Sequence, residues 1–323
     1  MEAIVTIENL TISFTNLYGK SYAVRNLSLS IPKGKTLGLV GESGCGKSVT
    51  AYSILNLVPK PGTIESGTIT YNSIDLLHCP DDTLRSIRGK NIAMIFQEPM
   101  TSLNPVFTIG YQVQEAVELH LGYTATQAKE YTIELLSKAG IPNPSQRYYS
   151  YPHELSGGLR QRVMIAMALA AHPDLLIADE PTTALDVTIQ SQILDLLLTL
   201  QATEHMSMLL ITHDLGIVAN TADYIAIMYA GEIVEYAPTK EIFDKPLHPY
   251  THGLMNCIPS LHKTAKRLYT IPGNVPIITQ PPQGCVFHPR CYLGDEECML
   301  QPIRLEEKKK GHCVRCIKVK GQA

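Results

Sequence analysis

A chain of 323 residues, 45% hydrophobic and 18% charged with a formal net charge of −3, has room for one large core and a smaller appendage. This is the balance of an ordinary soluble globular protein, it lends no support to a nucleic-acid-binding surface, and no nucleic acid is expected as a partner. No apolar run approaches the ~18 to 20 residues of a membrane helix, and Met1-Glu-Ala-Ile lacks a basic secretory start; a cytosolic protein is expected, with membrane contact only through partners.

In chain order, Ala3–Phe14 alternates as a strand and Asn26–Ile31 is a second, closed by the turn signal Pro32-Lys-Gly34. Between them Tyr18, beside Gly19, is the chosen candidate for stacking on a nucleotide base, with Tyr22 the other; each reads equally as a packing tyrosine. Thr36–Val40 is a buried strand, and Val49–Asn56 reads as a helix. The segment joining them is Gly41-Glu-Ser43-Gly44-Cys45-Gly46-Lys47-Ser48, a glycine-rich loop in the strand–loop–helix setting of a phosphate site. Its glycines free the backbone to turn successive N–H groups toward an anion, and the helix N-terminus behind adds partial positive charge. Lys47 is suited to the β- and γ-phosphates and Ser48 to Mg²⁺, so the chain is expected to bind a nucleoside triphosphate. Cys45 is a small filler of that loop, not a nucleophile.

Gly67–Tyr71 and Asn91–Phe96 are strands flanking a polar, turn-rich stretch. The second ends in Gln97, held by the proline-broken run Glu98–Pro105. From about 105 to 150 the pattern is helical without a strand signal, which suggests a helical subdomain inserted into an α/β core. Leu155-Ser-Gly-Gly158 then opens an apolar helix. Ser156 is a natural N-cap, and Gly157 and Gly158 leave N–H groups open, a second anion site far in sequence from the first.

The apolar strand Asp174–Asp179 ends in two carboxylates: Asp179 is placed to hold Mg²⁺ and Glu180 to polarise an attacking water. Pro181–Asp186 leads into a helix over Val187–Gln201, and strand Ser207–Ile211 ends in Thr212-His213-Asp214, at the strand edge where parallel sheets place ligands. Strands Tyr224–Met228 and Glu232–Val234 follow, then helical signals to about Asn256.

Of eight cysteines, Cys285, Cys291, Cys298, Cys313 and Cys316 crowd the C-terminal end, while Cys79 and Cys257 read as buried thiols. Thiols in a short, proline-broken, loop-rich segment read as a metal site whose ligation supplies the missing stability. Four thiolates suit Zn²⁺ or an iron–sulfur cluster, and Cys313-x-x-Cys316 has zinc-like spacing. Lys308–Lys310, beside Glu306 and Glu307, reads as solvated surface.

The loop 41–48, Gln97, the Leu-Ser-Gly-Gly signature 155–158, Asp179-Glu180, Asp186 and His213 stand in the order found in the ATP-binding subunits of ABC transporters, which residues 3–240 resemble. The resemblance implies a P-loop NTPase (ABC ATPase) α/β core over 1–240, with N-terminal antiparallel strands and a helical subdomain at about 105–170. It also implies a head-to-tail dimer with ATP between one subunit's Gly41, Ser43, Gly44, Cys45, Gly46, Lys47, Ser48 and Val49 and the other's Ser156, Gly157 and Gly158. Ser48, Gln97 and Asp179 would serve Mg²⁺, Gln97 and His213 the γ-phosphate, and Glu180 would be the base. Family members usually carry Thr where Val49 stands, a change outside the Mg²⁺ ligand that should be tolerated.

His248-Pro-Tyr-Thr251, Ile258-Pro259, Gly284–Cys291 and Glu98–Pro105 resemble the dipeptide, oligopeptide and nickel importer ATPases more narrowly. That resemblance makes 241–323 a small cysteine-rich metal-binding extension. It favours a [4Fe-4S] cluster on Cys285, Cys291, Cys298 and Cys316, with Zn²⁺ the alternative. It implies an ATPase at the cytoplasmic face of the cell membrane that drives uptake of di- or oligopeptides, or of nickel or a metal chelate. Its partners would be a related second ATPase subunit, two membrane permeases and an extracytoplasmic substrate-binding protein. Two rival classes are a soluble ABC ATPase acting on DNA or ribosomes and a metal or redox sensor. The first is disfavoured by a single cassette without a long coiled-coil insertion; the second predicts that replacing the tail cysteines spares ATP binding and abolishes the physiological output.

Overall fold

The computed structural model of the chain describes residues 2–17, 19–97, 102–183, 185–257 and 270–319. It consists of two compact units, Met1–His78 with Leu210–Ala323, and Cys79–Leu209. Tyr18, Ile258-Pro259 and part of Glu98–Pro105 lie outside the described residues.

The first unit opens with an antiparallel sheet of order β2-β1-β4-β5, built from β1 (Ala3–Asn16), β2 (Gly19–Pro32), β4 (Gly62–Tyr71) and β5 (Ile74–Asp75). Ile7, Leu10 and Ile12 of β1 are buried, and the register slips between Ile7 and Leu10, where Asn9 takes φ 51°. A bulge needs such a conformation, and asparagine tolerates it better than most residues. The second strand, expected over Asn26–Ile31, reaches back to Gly19 because β1 is long enough to pair with it there, Phe14 opposite Ser21 and Ser13 opposite Tyr22.

The other strands of this unit extend from one side of β3 (Thr36–Val40), every residue of which is buried. It pairs in parallel with β9 (Tyr224–Tyr229), which pairs antiparallel with β10 (Glu232–Pro238). The C-terminal segment adds β12 (His312–Val314) and β11 (Glu306–Lys309), completing the order β11-β12-β10-β9-β3. The strand expected to stop at Val234 runs on to Pro238 because residues 235–238 pair with 224–227 of β9, and Glu235 and Tyr236 pair with Val314 and Cys313 as well.

Glu235 is fully buried at that seam. Its carboxylate accepts from the Leu247 and His248 N–H groups at 2.7 and 2.9 Å and pairs with His312 Nε2 at 2.6 Å. A buried carboxylate without such partners would cost several kcal/mol, so this set fixes where the tail strands dock. Helices α8 (Leu215–Thr221), α9 (Thr239–Asp244), α10 (Pro249–Cys257) and α11 (Glu297–Leu300) also belong to this unit. The helical signals expected to run to Asn256 resolve into α9 and α10, with Lys245–His248 between them.

In the second unit β6 (Ile92–Ile95) and β7 (Leu175–Asp179) pair in parallel. Around them stand α3 (Ile109–Leu121), α4 (Ala125–Lys138), α5 (Pro144–Arg147), α6 (Gly157–Ala168) and α7 (Val187–Thr203). The helical run expected from 105 to 150 is present. Thr108 caps α3 by accepting from the Tyr111 N–H at 3.3 Å, and Gly122 ends it in the left-handed region. In α4 the buried residues Ala128, Thr132, Leu135 and Leu136 recur at helical spacing, and they share a core with Val113, Val163 and Ile193. The stretch read as polar and turn-rich contains α2 (Asp81–Ile87), a short helix that buries Leu84 and Ile87. β8 (Ser207–Thr212) carries the chain across the boundary between the units. Among the described residues no helix is long and apolar enough to cross a membrane.

Candidate nucleotide site

The residues expected to bind nucleotide fall on both units: the loop 41–48 and His213 on the first, Gln97, Ser156–Gly158, Asp179 and Glu180 on the second. In the first unit the loop leaves the C-terminal end of β3 and enters α1 (Lys47–Ile54) through Gly46, at φ 107°. Two glycines here are dictated by space. A Cβ on Gly41 would lie 2.2 Å from the Met228 carbonyl oxygen, and one on Gly46 2.3 Å from that of Ala23. Lys47 is buried, and its ammonium donates to the Gly41 and Glu42 carbonyls at 2.8 and 3.1 Å. The lysine therefore closes the loop on itself, aligned with the loop backbone rather than extended into solvent. Burial pushes the Cys45 thiol above its ordinary pKa, which agrees with a filler and not a nucleophile. His213 follows the last residue of β8 and is exposed, while Asp214 caps α8 by accepting from the Gly216 N–H at 2.7 Å.

In the second unit Ser156 is the N-cap of α6, accepting from the Leu159 N–H at 3.4 Å, with Ser156 and Gly157 exposed. A Cβ on Gly158 would come within 2.7 Å of Ile189 Cγ2, so glycine there lets α6 pack closely on α7. Asp186 caps α7 through the Ile189 N–H at 3.0 Å. Asp179 is fully buried at the end of β7, and Glu180 follows with φ 45°, a conformation few non-glycine residues adopt. Its Oε2 accepts from Thr183 Oγ1 at 2.8 Å and Gln97 Nε2 at 3.3 Å. The glutamine and the candidate base, 83 residues apart, thus share one hydrogen bond.

The tail thiols are all free. Burial pushes Cys285 up to about 11, with the charges of Cys291 and Cys316 adding to it. Cys291 is raised by burial and then by Cys316 and Cys298, and Cys316 by burial and then by Cys298. Cys313 stands apart: it pairs with Tyr236 in the sheet, and Glu307 is the charge that adds to its burial. Among the described residues no three His, Cys, Asp or Glu side chains are close enough together to hold a single metal ion.

Sequence reading missed the contacts between tail and phosphate loop. Tyr250, in the His-Pro-Tyr-Thr motif, accepts from the Glu42 N–H at 3.1 Å, and Arg290 forms a forked ion pair with the Glu42 carboxylate. The only signals available were an acid inside a phosphate loop and an arginine inside a cysteine-rich segment.

The ABC transporter family profile matches residues 24–183, and that of the oligopeptide/dipeptide transporter C-terminal region matches 234–298. The chain is 48% identical over 292 residues to the dipeptide transport ATP-binding protein DppD of Bacillus subtilis, covering 90% of this chain and 87% of that one. To DppD of Escherichia coli it is 44% identical over 314 residues, covering 97% and 96%. It also resembles the solved dimeric structure of a bacterial ABC transporter cassette, with a TM-score of 0.65 and 28% identity over 73% of this chain and 98% of the other. Relatives this similar over nearly its whole length show that the chain belongs to the ATP-hydrolysing subunits of ABC transporters, in the branch that carries the oligopeptide/dipeptide C-terminal region.

Proposed function

We propose that this subunit drives uptake of di- or oligopeptides from the cytoplasmic face of the membrane. The observation that carries the reading is the similarity to dipeptide transport ATP-binding proteins across cassette and tail together. Lys47 and Ser48 would hold the phosphates and Mg²⁺, Asp179 the Mg²⁺, and Gln97 and His213 the γ-phosphate, while Glu180 takes a proton from the attacking water. The exposed Ser156 and Gly157 with Gly158 would close on the nucleotide of a second, related ATPase subunit. Two permeases and an extracytoplasmic binding protein complete the assembly. ATP binding closes the pair and hydrolysis reopens it.

For the tail thiols the resemblance to the importer ATPases favours a [4Fe-4S] cluster, with Zn²⁺ the alternative. Cys285, Cys291, Cys298 and Cys316 are the ligands we assign, and the bound group supplies cross-linking of a loop-rich segment. Protein purified without oxygen should carry about four irons per chain, and Cys316→Ser should lose them where Cys313→Ser does not. Equal retention in both variants rejects the ligand set.

Uptake of a radiolabelled dipeptide by cells carrying wild type or Glu180→Gln tests the transport reading. It should collapse by at least about 100-fold in the variant, the worth of a positioned base. Unchanged uptake with the variant protein present would overturn the peptide assignment and make nickel the next label.

A further inference from the structure

The phosphate loop carries a carboxylate of its own. Glu42 follows Gly41, and a charge of that sign beside bound phosphates repels them unless something cancels it. The cancelling group comes from the tail. Arg290 Nη1 donates to Glu42 Oε1 at 2.9 Å and Oε2 at 3.3 Å, and Nη2 donates to Oε2 at 3.2 Å, a forked geometry that a point charge cannot reproduce.

We propose that Arg290 is a positioning residue for the nucleotide: it cancels the Glu42 charge and holds Gly41–Glu42 in the shape that accepts a triphosphate. The inference rests on residues 41–48 being the phosphate site.

The guanidinium is fixed before it meets Glu42. Nε donates to the Pro272 carbonyl at 2.8 Å and Nη2 to that of Ile271 at 3.3 Å, the group lies 5.7 Å from the Tyr229 ring centre, and the side chain is 6% exposed. Arg290 is therefore held by contacts other than Glu42. The rest of Glu42 is pinned as well, its N–H donating to Tyr250 Oη and its carbonyl accepting from Lys47 Nζ. Tyr229, Tyr250 and Phe287 form the packed aromatic floor beneath, with ring centres 4.7–5.3 Å apart. Arg290 closes the 3-10 turn His288–Arg290, which lies between Cys285 and Cys291, so the order of the thiol segment is transmitted to the loop.

The test is titration of purified full-length chain with fluorescent ATP and ADP derivatives in the presence of Mg²⁺, on wild type, R290A, R290K, R290A/E42Q and K47A. R290A should bind ATP about tenfold more weakly, losing more for ATP than for ADP because the extra phosphate meets an uncancelled charge. R290A/E42Q should recover most of the loss, and R290K should fall between wild type and R290A. A merely structural contact would lower the melting temperature and leave the ATP-to-ADP ratio unchanged. If R290A does not melt cooperatively, R290K takes its place, with a loss of about threefold that E42Q reverses. Wild-type ATP affinity in the arginine variant, or no recovery in the double variant, overturns the proposal. If K47A also binds like wild type, the phosphate-site reading itself has failed; if K47A alone loses binding, only the role of Arg290 has.

Discussion

The two glycine-rich anion sites of this chain are finished to different degrees. Around residues 41–48 the backbone is met by Ala23, Met228 and Tyr250 and the Glu42 carboxylate by Arg290, from four separate parts of the sequence. Around Ser156–Gly158 there is an N-cap hydrogen bond and a close approach of α7 beneath, while Ser156 and Gly157 face outward. One site is completed by its own chain; the other presents an open helix N-terminus, the arrangement expected of a surface whose anion arrives on another molecule. Gly41 and Gly46 serve space in the first; in the second Gly158 serves space and Gly157 access.

Lys47→Ala and Ser156→Arg should separate the two most sharply. The first removes a buried ammonium and should weaken ATP binding to the isolated chain on the order of 100-fold, read by nucleotide titration. The second should leave that binding intact and abolish the ATP-dependent rise in molecular mass seen by light scattering. Loss of binding in both would mean that the open site also serves its own chain's nucleotide.

A single methyl group offers a milder probe. Gly41→Ala forces a Cβ against the Met228 carbonyl and Cys45 Sγ and should lower stability in urea by about 1–3 kcal/mol. Gly157→Ala meets nothing nearer than Leu185 Cδ2 at 3.5 Å and should stay within about 0.5 kcal/mol of wild type. Equal losses would erase the distinction between enclosed and open.

The smallest effect concerns the buried His248, two residues from Tyr250 of the enclosed site. Burial pushes the pKa of His248 down to about 4 although Glu235 faces it, with Arg315 and His252 opposing the charge as well; Nδ1 accepts from the Tyr250 N–H at 3.1 Å. A histidine whose folded pKa is depressed contributes fully above its unfolded value near ~6.5, and that contribution fades as pH falls toward the folded value. The melting temperature should drop by a few degrees more between pH 6.5 and 4.5 in wild type than in His248→Asn. Parallel curves would remove His248 as the source.

What the sequence made legible was local. Thr36–Val40 reads as buried because all five residues are apolar or small, and the structure buries all five. Ser156 reads as a cap because its hydroxyl need reach only three residues ahead, and it does. What escaped was set by distant chain. β2 and β10 are longer than their own residues suggest because β1 pairs with the extra length of the first, and β9 and β12 with that of the second. α2 is too short for its two buried residues to register as a period. Gln97 and Glu180 each stood out alone, yet their hydrogen bond spans 83 positions and leaves no local pattern. The Arg290–Glu42 pair spans 248 and leaves none either.

That separation also has a meaning in time. A ribosome adding ~5–20 residues per second delivers Arg290 roughly 12–50 seconds after Glu42. Throughout that interval the emerging loop carries an acid without its counterion, and any chain cut short before Arg290 keeps it so. The competence of the earliest-made motif is thus countersigned by one of the last-made segments, and a truncated copy enters the pool of subunits as a poor competitor for nucleotide.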